Sequence, residues 1–387
     1  MSNLQPMSSA EMLGHLISFD TTSCNSNFPL IEFAEAFLRD QGIETIRADY
    51  APGKTNLVAS IGPAVDGGVV LSGHTDTVPV TGQAWATDPF TMTDVNGDLL
   101  GRGTCDMKGF LACCLAAVPH LKARNLTRPV HLVFSCDEEV SCEGVIPAVR
   151  RFGHDMPTPS VCIVGEPTMM DVMTGQKACQ AFLTTITGVE AHSSKPALGW
   201  SALNEAALLI NEINAIAQEM RDKVNENCLF DPAFTTVHVG AVHSGTTVNI
   251  VPNLATISWE ARLLPDQDTS EICDRVARFV QARNEVIRAT YPDAGIETDN
   301  YVNVPGLEPE PDGAAKSLAM RLTGSNRIGV VSYGTEAGHF QAAGMSTVIC
   351  GPGSIDQAHK PDEFVAASQL VECDRFLTRL GDELSAP

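Results

Sequence analysis

From Asn56 onward the chain is written in short apolar runs cut by glycine and proline. Runs of this length, rich in β-branched residues, read as buried strands. Val69-Val70-Leu71 precedes Gly73-His74, and Val130–Phe134 precedes Asp137-Glu138-Glu139. Val161–Val164 precedes Gly165-Glu166, and Thr347–Cys350 precedes the loop that carries His359. Helical periodicity occupies the earlier segment, around Glu11–Phe19 and Leu30–Leu38, and returns between strands at Met107–Val118 and Val145–Phe152. Pro119 is the expected stop of the third of these helices. Strands alternating with helices predict an α/β fold, a mostly parallel sheet flanked by helices. Such sheets bind ligands outside the carboxyl ends of their strands. Every acid and histidine named above falls there.

The pattern changes between residues 181 and 303. A strand at Ala181–Thr187 is followed by a helix at Ala202–Met220 and strands at Thr235–Val242 and Ala255–Leu263. A helix at Ser270–Ala289 and a strand near Ile296–Val302 complete the series. The order βαββαβ is that of a ferredoxin-like unit, long enough to stand as an inserted domain. The expected organisation is therefore a discontinuous domain, 1–180 and 304–387, interrupted by 181–303.

Composition narrows the function classes. Of 387 residues, 44% are hydrophobic and 19% charged, as in ordinary globular proteins. A net charge of −22 argues against nucleic acid or an anionic membrane surface as partner. The twelve cysteines form no C-x-x-C pair, and several lie inside apolar runs, as buried free thiols do. The opening residues lack the basic and apolar regions of a signal peptide, and the longest strictly apolar run, Phe110–Val118, is too short to span a bilayer. A cytoplasmic location is expected.

Taken singly, the candidate chemical residues have ordinary explanations. His74, with Asp76 two residues on, is most simply a structural histidine, although a carboxylate on its second ring nitrogen would suit a metal ligand. Asp106 could cap a helix or bridge two metal ions. Asp94-x-Asn96-x-Asp98 mimics the start of a calcium loop, but Leu99 stands where glycine is required, so a turn is expected. Asp137-Glu138-Glu139 could be a solvated acidic loop. Alternation along an extended chain would instead let Glu139 hold a metal while Glu138 takes a proton from water. Glu166 and His359 repeat the theme of a ligand type just after a strand. As a set, two histidines and three acids match a paired divalent site. Two ions roughly 3.5–4 Å apart can share a water, lower its pKa toward about 7 and polarise a carbonyl.

At the level of motifs the chain resembles the dizinc aminoacylase, dipeptidase and desuccinylase family over almost its whole length. The resemblance is carried by GHTDTVP (73–79), DPF (88–90), GRGTCDMKGF (101–110), DEE (137–139) and GEPT (165–168). AHSS (191–194), RLLP (262–265), GTEAG (334–338) and GPGSIDQAHKPDEF (351–364) extend it. It implies two divalent ions, zinc or alternatively cobalt: His74, Asp106 and Glu166 on one, Asp106, Glu139 and His359 on the other. It implies Glu138 as general acid and base, Asp76 behind His74, and a cis peptide at Asp106-Met107. It further implies that the inserted domain is a lid and dimerisation domain. From that domain His192 would stabilise the oxyanion across a homodimer interface, and Asn249 and Arg262 would bind the substrate's α-carboxylate. Glu336 would pair with a cationic side chain or orient the substrate; Arg102 receives no role. The implied substrate is a small N-acyl amino acid. The last two motifs point to N2-acetyl-L-ornithine, cleaved to L-ornithine and acetate in arginine biosynthesis. Other N-acyl-amino-acid deacylases, desuccinylases and dipeptidases are the neighbouring readings.

Overall fold

The computed structural model describes residues 7–224, 228–268 and 270–385. Its strands begin with a hairpin, Thr45–Ala51 (β1) and Lys54–Ile61 (β2), then Val69–His74 (β3), Val130–Ser135 (β4), Val161–Pro167 (β5) and Val172–Gln176 (β6). Ala178–Thr187 (β7), Thr236–Ser244 (β8), Leu254–Leu263 (β9) and Gly295–Val304 (β10) follow, and Ile328–Val331 (β11) and Ser346–Gly351 (β12) end the series. The principal helices are Ser9–Ile17 (α1), Phe28–Asp40 (α2), Gly109–Lys122 (α3), Ala202–Asp222 (α4), Ser270–Arg288 (α5), Ala314–Thr323 (α6) and Ala367–Glu383 (α7).

The chain divides into two compact units. The first comprises Met1–Gly175, Leu307–Val330 and Thr335–Pro387; the second comprises Gln176–Gly306 and Val331–Gly334. An eight-stranded sheet in the order β1-β2-β4-β3-β5-β12-β6-β11 organises the first unit. Its central strands β4, β3, β5 and β12 pair in parallel, while β1–β2, β2–β4 and β12–β6 are antiparallel. Strands β3, β4 and β5 are buried along their entire length. Burial on both faces explains why their sequences are continuous apolar runs rather than alternating ones. Leu71, Leu132, Phe134 and Ile163 join Met12, Leu16, Leu111, Leu115, Phe376 and Leu380 of α1, α3 and α7 in one core.

α3 departs from expectation at both ends. It starts at Gly109, after a separate wide turn over Thr104–Lys108, and it runs through Pro119 to Lys122. A proline removes one helical hydrogen bond, but Leu121 is fully buried and anchors the last turn. The helix expected at Val145–Phe152 is only a one-turn helix at Ile146–Val149, following a 3-10 turn at Glu143–Val145.

The second unit has a four-stranded antiparallel sheet in the order β8-β9-β7-β10. With α4 between β7 and β8 and α5 between β9 and β10, this is the ferredoxin-like βαββαβ arrangement. Its core includes the stacked Phe182 and Trp259 rings, 4.0 Å apart. Nine of the twelve cysteines are buried. Among the described residues no helix is long and apolar enough to cross a membrane.

Candidate metal centre

The five proposed ligands come from five chain segments of the first unit. His74 ends β3, Glu139 follows β4 in a short helical turn at Glu138–Ser141, and Glu166 lies near the end of β5. Asp106 sits in the wide turn before α3, and the Asp106-Met107 peptide is cis, as the resemblance implied. His359 lies in the loop after β12 with a left-handed backbone, φ 62°. Parallel strand ends converge on one edge of the sheet, and so do these side chains.

Asp106 is the hinge of the geometry. Its Oδ1 is 3.0 Å from His74 Nε2, and its Oδ2 is 3.2 Å from His359 Nε2. His74 Nε2 also lies 3.7 Å from Glu166 Oε1, and His359 Nε2 lies 3.0 Å from Glu139 Oε2. One carboxylate thus faces two groups of donors. His74, Asp106 and Glu139 have donor atoms within 4.8 Å of one another, as do His74, Glu138 and Glu166.

The donor chemistry fits divalent cations. Among the described residues, Glu139 Oε1 and Glu166 Oε1 are buried oxygens without a hydrogen-bond partner, a costly condition unless a cation compensates. Burial, and after it the Asp106 charge, raises Glu139 to about 7 and lifts Glu166 well above the usual carboxylate range. Burial likewise pushes Glu138 up to about 8, with Glu139 and Asp106 adding to the effect. Hydrogen bonds donated to the Asp106 and Glu139 carboxylates raise His359 to about 10. Protons are thus held where positive charge is needed. Histidine nitrogens with carboxylate oxygens suit zinc and its first-row neighbours.

Asp76 touches this cluster differently from expectation. His74 Nδ1 is 2.9 Å from the Asp76 backbone carbonyl, whereas the nearer carboxylate oxygen is 3.8 Å away. The carbonyl is therefore the group placed to fix the ring. The Asp76 carboxylate instead accepts the backbone N–H groups of Glu138 and Glu139, at 3.1 and 3.2 Å, and the Ser23 hydroxyl at 2.7 Å. Glu138 Oε2 is 4.0 Å from His74 Nε2, and its Oε1 accepts from Cys142 Sγ at 3.1 Å.

Three residues without an expected role surround the cluster. Glu363 accepts the backbone N–H groups of Gly103, Cys105 and Asp106 at 2.9–3.0 Å, and Arg102 Nη1 at 2.6 Å. Arg102, fully buried, also donates to Gln83 Oε1, and Gln83 Nε2 donates to the His359 carbonyl at 2.9 Å. Glu336, in contrast to its expected substrate contact, is buried behind the strand ends. Its two oxygens accept the hydroxyls of Ser72 and Ser135, at 2.5 and 2.6 Å. Asp94-x-Asn96-x-Asp98 forms a hairpin turn, with Gly97 N–H donating to Asp94.

The remaining candidates belong to the second unit. His192 is exposed, with Nδ1 2.8 Å from Ser194 Oγ. Its short strand pairs with Ile250–Val251, and Ser193 N–H donates to the Asn249 carbonyl. Arg262 Nη2 is 3.1 Å from Glu260. A cavity of about 800 Å³ in this unit lies against Phe182, Trp259 and α5 residues such as Val280 and Asn284. None of the candidate residues lines it.

Known proteins extend these observations. The model for "Peptidase family M20/M25/M40" matches residues 70–383. An acetylornithine deacetylase of Myxococcus xanthus is 33% identical over 381 residues, covering 95% of this chain and 95% of that protein. Another, from Aliivibrio salmonicida (strain LFI1238), is 31% identical over 367 residues, covering 94% and 93%. An M20 family metallo-carboxypeptidase from Sulfolobus solfataricus superimposes with a TM-score of 0.76 at 17% identity, over 98% of this chain and 99% of that one. A dinuclear metal-binding M20-family peptidase from Bacillus subtilis gives a TM-score of 0.61 at 17% identity, over 97% and 98%.

Proposed function

We propose that this chain, a metallohydrolase belonging to peptidase family M20/M25/M40, removes the acetyl group from N2-acetyl-L-ornithine to release L-ornithine and acetate. The observation that carries the substrate is the pair of acetylornithine deacetylases about one-third identical over 93–95% of their own length. The residues held in the first unit supply the chemistry. His74, Asp106 and Glu166 would hold one divalent ion, and Asp106, Glu139 and His359 a second, preferably zinc. Such a pair, when bound, acidifies water and polarises the carbonyl to be attacked.

Glu138 takes a proton from water as its oxygen adds to the acetyl carbon. It then delivers that proton to the ornithine nitrogen as the C–N bond breaks. Asp76 holds the backbone of Glu138 and Glu139 and so aims both side chains. Motif similarity supports His192 as the oxyanion donor, and Asn249 and Arg262 as contacts for the α-carboxylate. The same similarity supports a homodimer through the ferredoxin-like unit and a role in arginine biosynthesis. Glu336 is left out of substrate binding because both its oxygens are already engaged.

The test compares kcat/KM for N2-acetyl-L-ornithine, N-acetyl-L-methionine, an N-succinyl amino acid and simple dipeptides on the metal-loaded protein. Acetylornithine is expected to lead by at least tenfold. Equal or better turnover of the neutral acetyl amino acid, the succinyl compound or a dipeptide would overturn the substrate.

A further inference from the structure

His359 and Asp106 are 253 positions apart, yet each is tied to the other by more than the ion they would share. Glu363 stands four residues beyond His359. Its Oε1 accepts the N–H groups of Cys105 and Asp106, and its Oε2 accepts the N–H of Gly103 and Nη1 of Arg102. Arg102 spans from Glu363 to Gln83, and Gln83 returns to the His359 carbonyl. The circuit closes because Asp106 Oδ2 faces His359 Nε2 at 3.2 Å. Trp85 covers it: its ring lies 5.1 Å from the Arg102 guanidinium, and its Nε1 donates to Gln83 Oε1.

Both ends of this circuit need support. His359 and Asp362 are non-glycine residues in the left-handed region, with φ 62° and 56°, a conformation that surroundings must hold in place. The Asp362 carboxylate accepts the Ala86 N–H at 2.8 Å, which ties the same loop to the segment carrying Gln83. On the other side, the turn around Asp106 departs from helical geometry at Asp106 and Met107. Glu363 supplies the acceptor for the N–H groups of Gly103, Cys105 and Asp106. A charged carboxylate facing three amides and a guanidinium is a strong and directional anchor.

We propose that Glu363, Arg102 and Gln83 form a brace that sets the spacing of Asp106 and His359 and thereby the affinity and geometry of the ion position these two share with Glu139. The brace acts through the backbone around Asp106 and through the His359 carbonyl. Its members are positioning residues, of the kind that tune metal affinity by about 10–100-fold through the orientation of ligands. The inference rests on the two-ion reading above.

The experiment titrates Zn²⁺ and Co²⁺ into metal-stripped full-length protein, with competition by a chromophoric chelator and the visible spectrum of the Co²⁺ form. Wild type, Gln83→Ala, Arg102→Lys and Glu363→Gln are compared, with thermal unfolding as the check on folding. Wild type is expected to take two ions. Gln83→Ala, at a partly exposed position, is expected to unfold like wild type. It should nonetheless bind the weaker ion about 10-fold less tightly, with a changed Co²⁺ band and activity restored by excess metal. Glu363→Gln places an amide N–H₂ against backbone donors and is expected to lose more, about 100-fold. The brace is disproved if wild type binds two ions and Gln83→Ala and Arg102→Lys bind both with unchanged affinity and spectrum. Failure of wild type to bind two ions overturns the metal reading itself, a separate outcome.

Discussion

Glu138 and Asp76 show how two nearby carboxylates divide their tasks by what each touches. Asp76 is fully buried and spends its oxygens on the Glu138 and Glu139 amides and the Ser23 hydroxyl. Glu138 keeps Oε2 directed toward the cluster, 4.0 Å from His74 Nε2. Glu138→Gln preserves shape and removes the basic oxygen. It should lower kcat on acetylornithine by about 10²–10⁴-fold, the usual worth of a positioned general base, with two ions still bound. Steady-state kinetics beside metal analysis checks this, and near-wild-type kcat in the loaded variant would remove Glu138 from the chemistry. His74, Glu139, Glu166 and His359 could be read as candidate ligands because each is a metal-binding residue type at or beyond the end of an apolar strand, whereas Asp106, in the turn before α3, stood out through its motif. Gln83, Arg102 and Glu363 were not, because their roles exist only as hydrogen bonds across up to 276 residues. Asp76 was half legible: its position near His74 was right, but sequence spacing cannot tell a carboxylate contact from a carbonyl contact.

The elements carry a second kind of information, in how closely they approach. Gly165, one residue before Glu166 in β5, lies flat against the Phe110 ring of α3; an added Cβ would come within 2.1 Å of ring atoms. The opposite neighbour is as close, since a Cβ on Gly351 of β12 would lie 1.9 Å from the Gly165 carbonyl oxygen. Small residues at these strand ends let β5, β12 and α3 meet where Asp106 and Glu166 must converge. Gly165→Ala should therefore destabilise the protein by about 1–3 kcal/mol, the ordinary cost of overpacking, and loosen metal binding. Phe110→Ala opens space but leaves a cavity. The double variant should be more stable than the sum of the two single losses, a coupling that urea unfolding measures. Strict additivity would show that ring and glycine are not in conflict. The strand pattern predicted which runs are buried, because continuous apolar runs follow from burial on both faces. It did not predict the antiparallel edges of the sheet, since pairing direction is set by connections between strands. The run of α3 past Pro119 was hidden for a related reason: burial of Leu121 is a property of the packed core, whereas the proline penalty is local.

At the scale of the whole molecule, burial sets two groups of ionisable side chains against each other. Burial raises Glu336 and Glu363, each partly offset by hydrogen bonds. It lowers His131 and His339 to about 4. A histidine held below its unfolded value is neutral in the folded chain while the unfolded chain takes up a proton. Its stabilising contribution is therefore complete above about pH 6.5 and falls away as the pH drops toward 4. The raised carboxylates have the opposite sign, since their folded forms bind protons more readily than the unfolded chain. His131 offers the clean test, because it lies on β4 away from the proposed ligands, packs against Phe152, and has Nδ1 2.8 Å from Ser60 Oγ. Among the described residues its buried Nε2 has no partner, so a proton there has nothing to receive it. The cost at the acid end is roughly 3 kcal/mol. His131→Gln should be less stable than wild type at pH 7, where the imidazole packs and bonds well. As pH falls from 6.5 to 4.5 it should lose less stability than wild type, so the two curves approach each other. Urea unfolding of the metal-free chains at three or four pH values reads the difference directly, and the carboxylates common to both proteins cancel. Parallel curves would mean that His131 is protonated at no cost, and that acid sensitivity arises elsewhere in the fold.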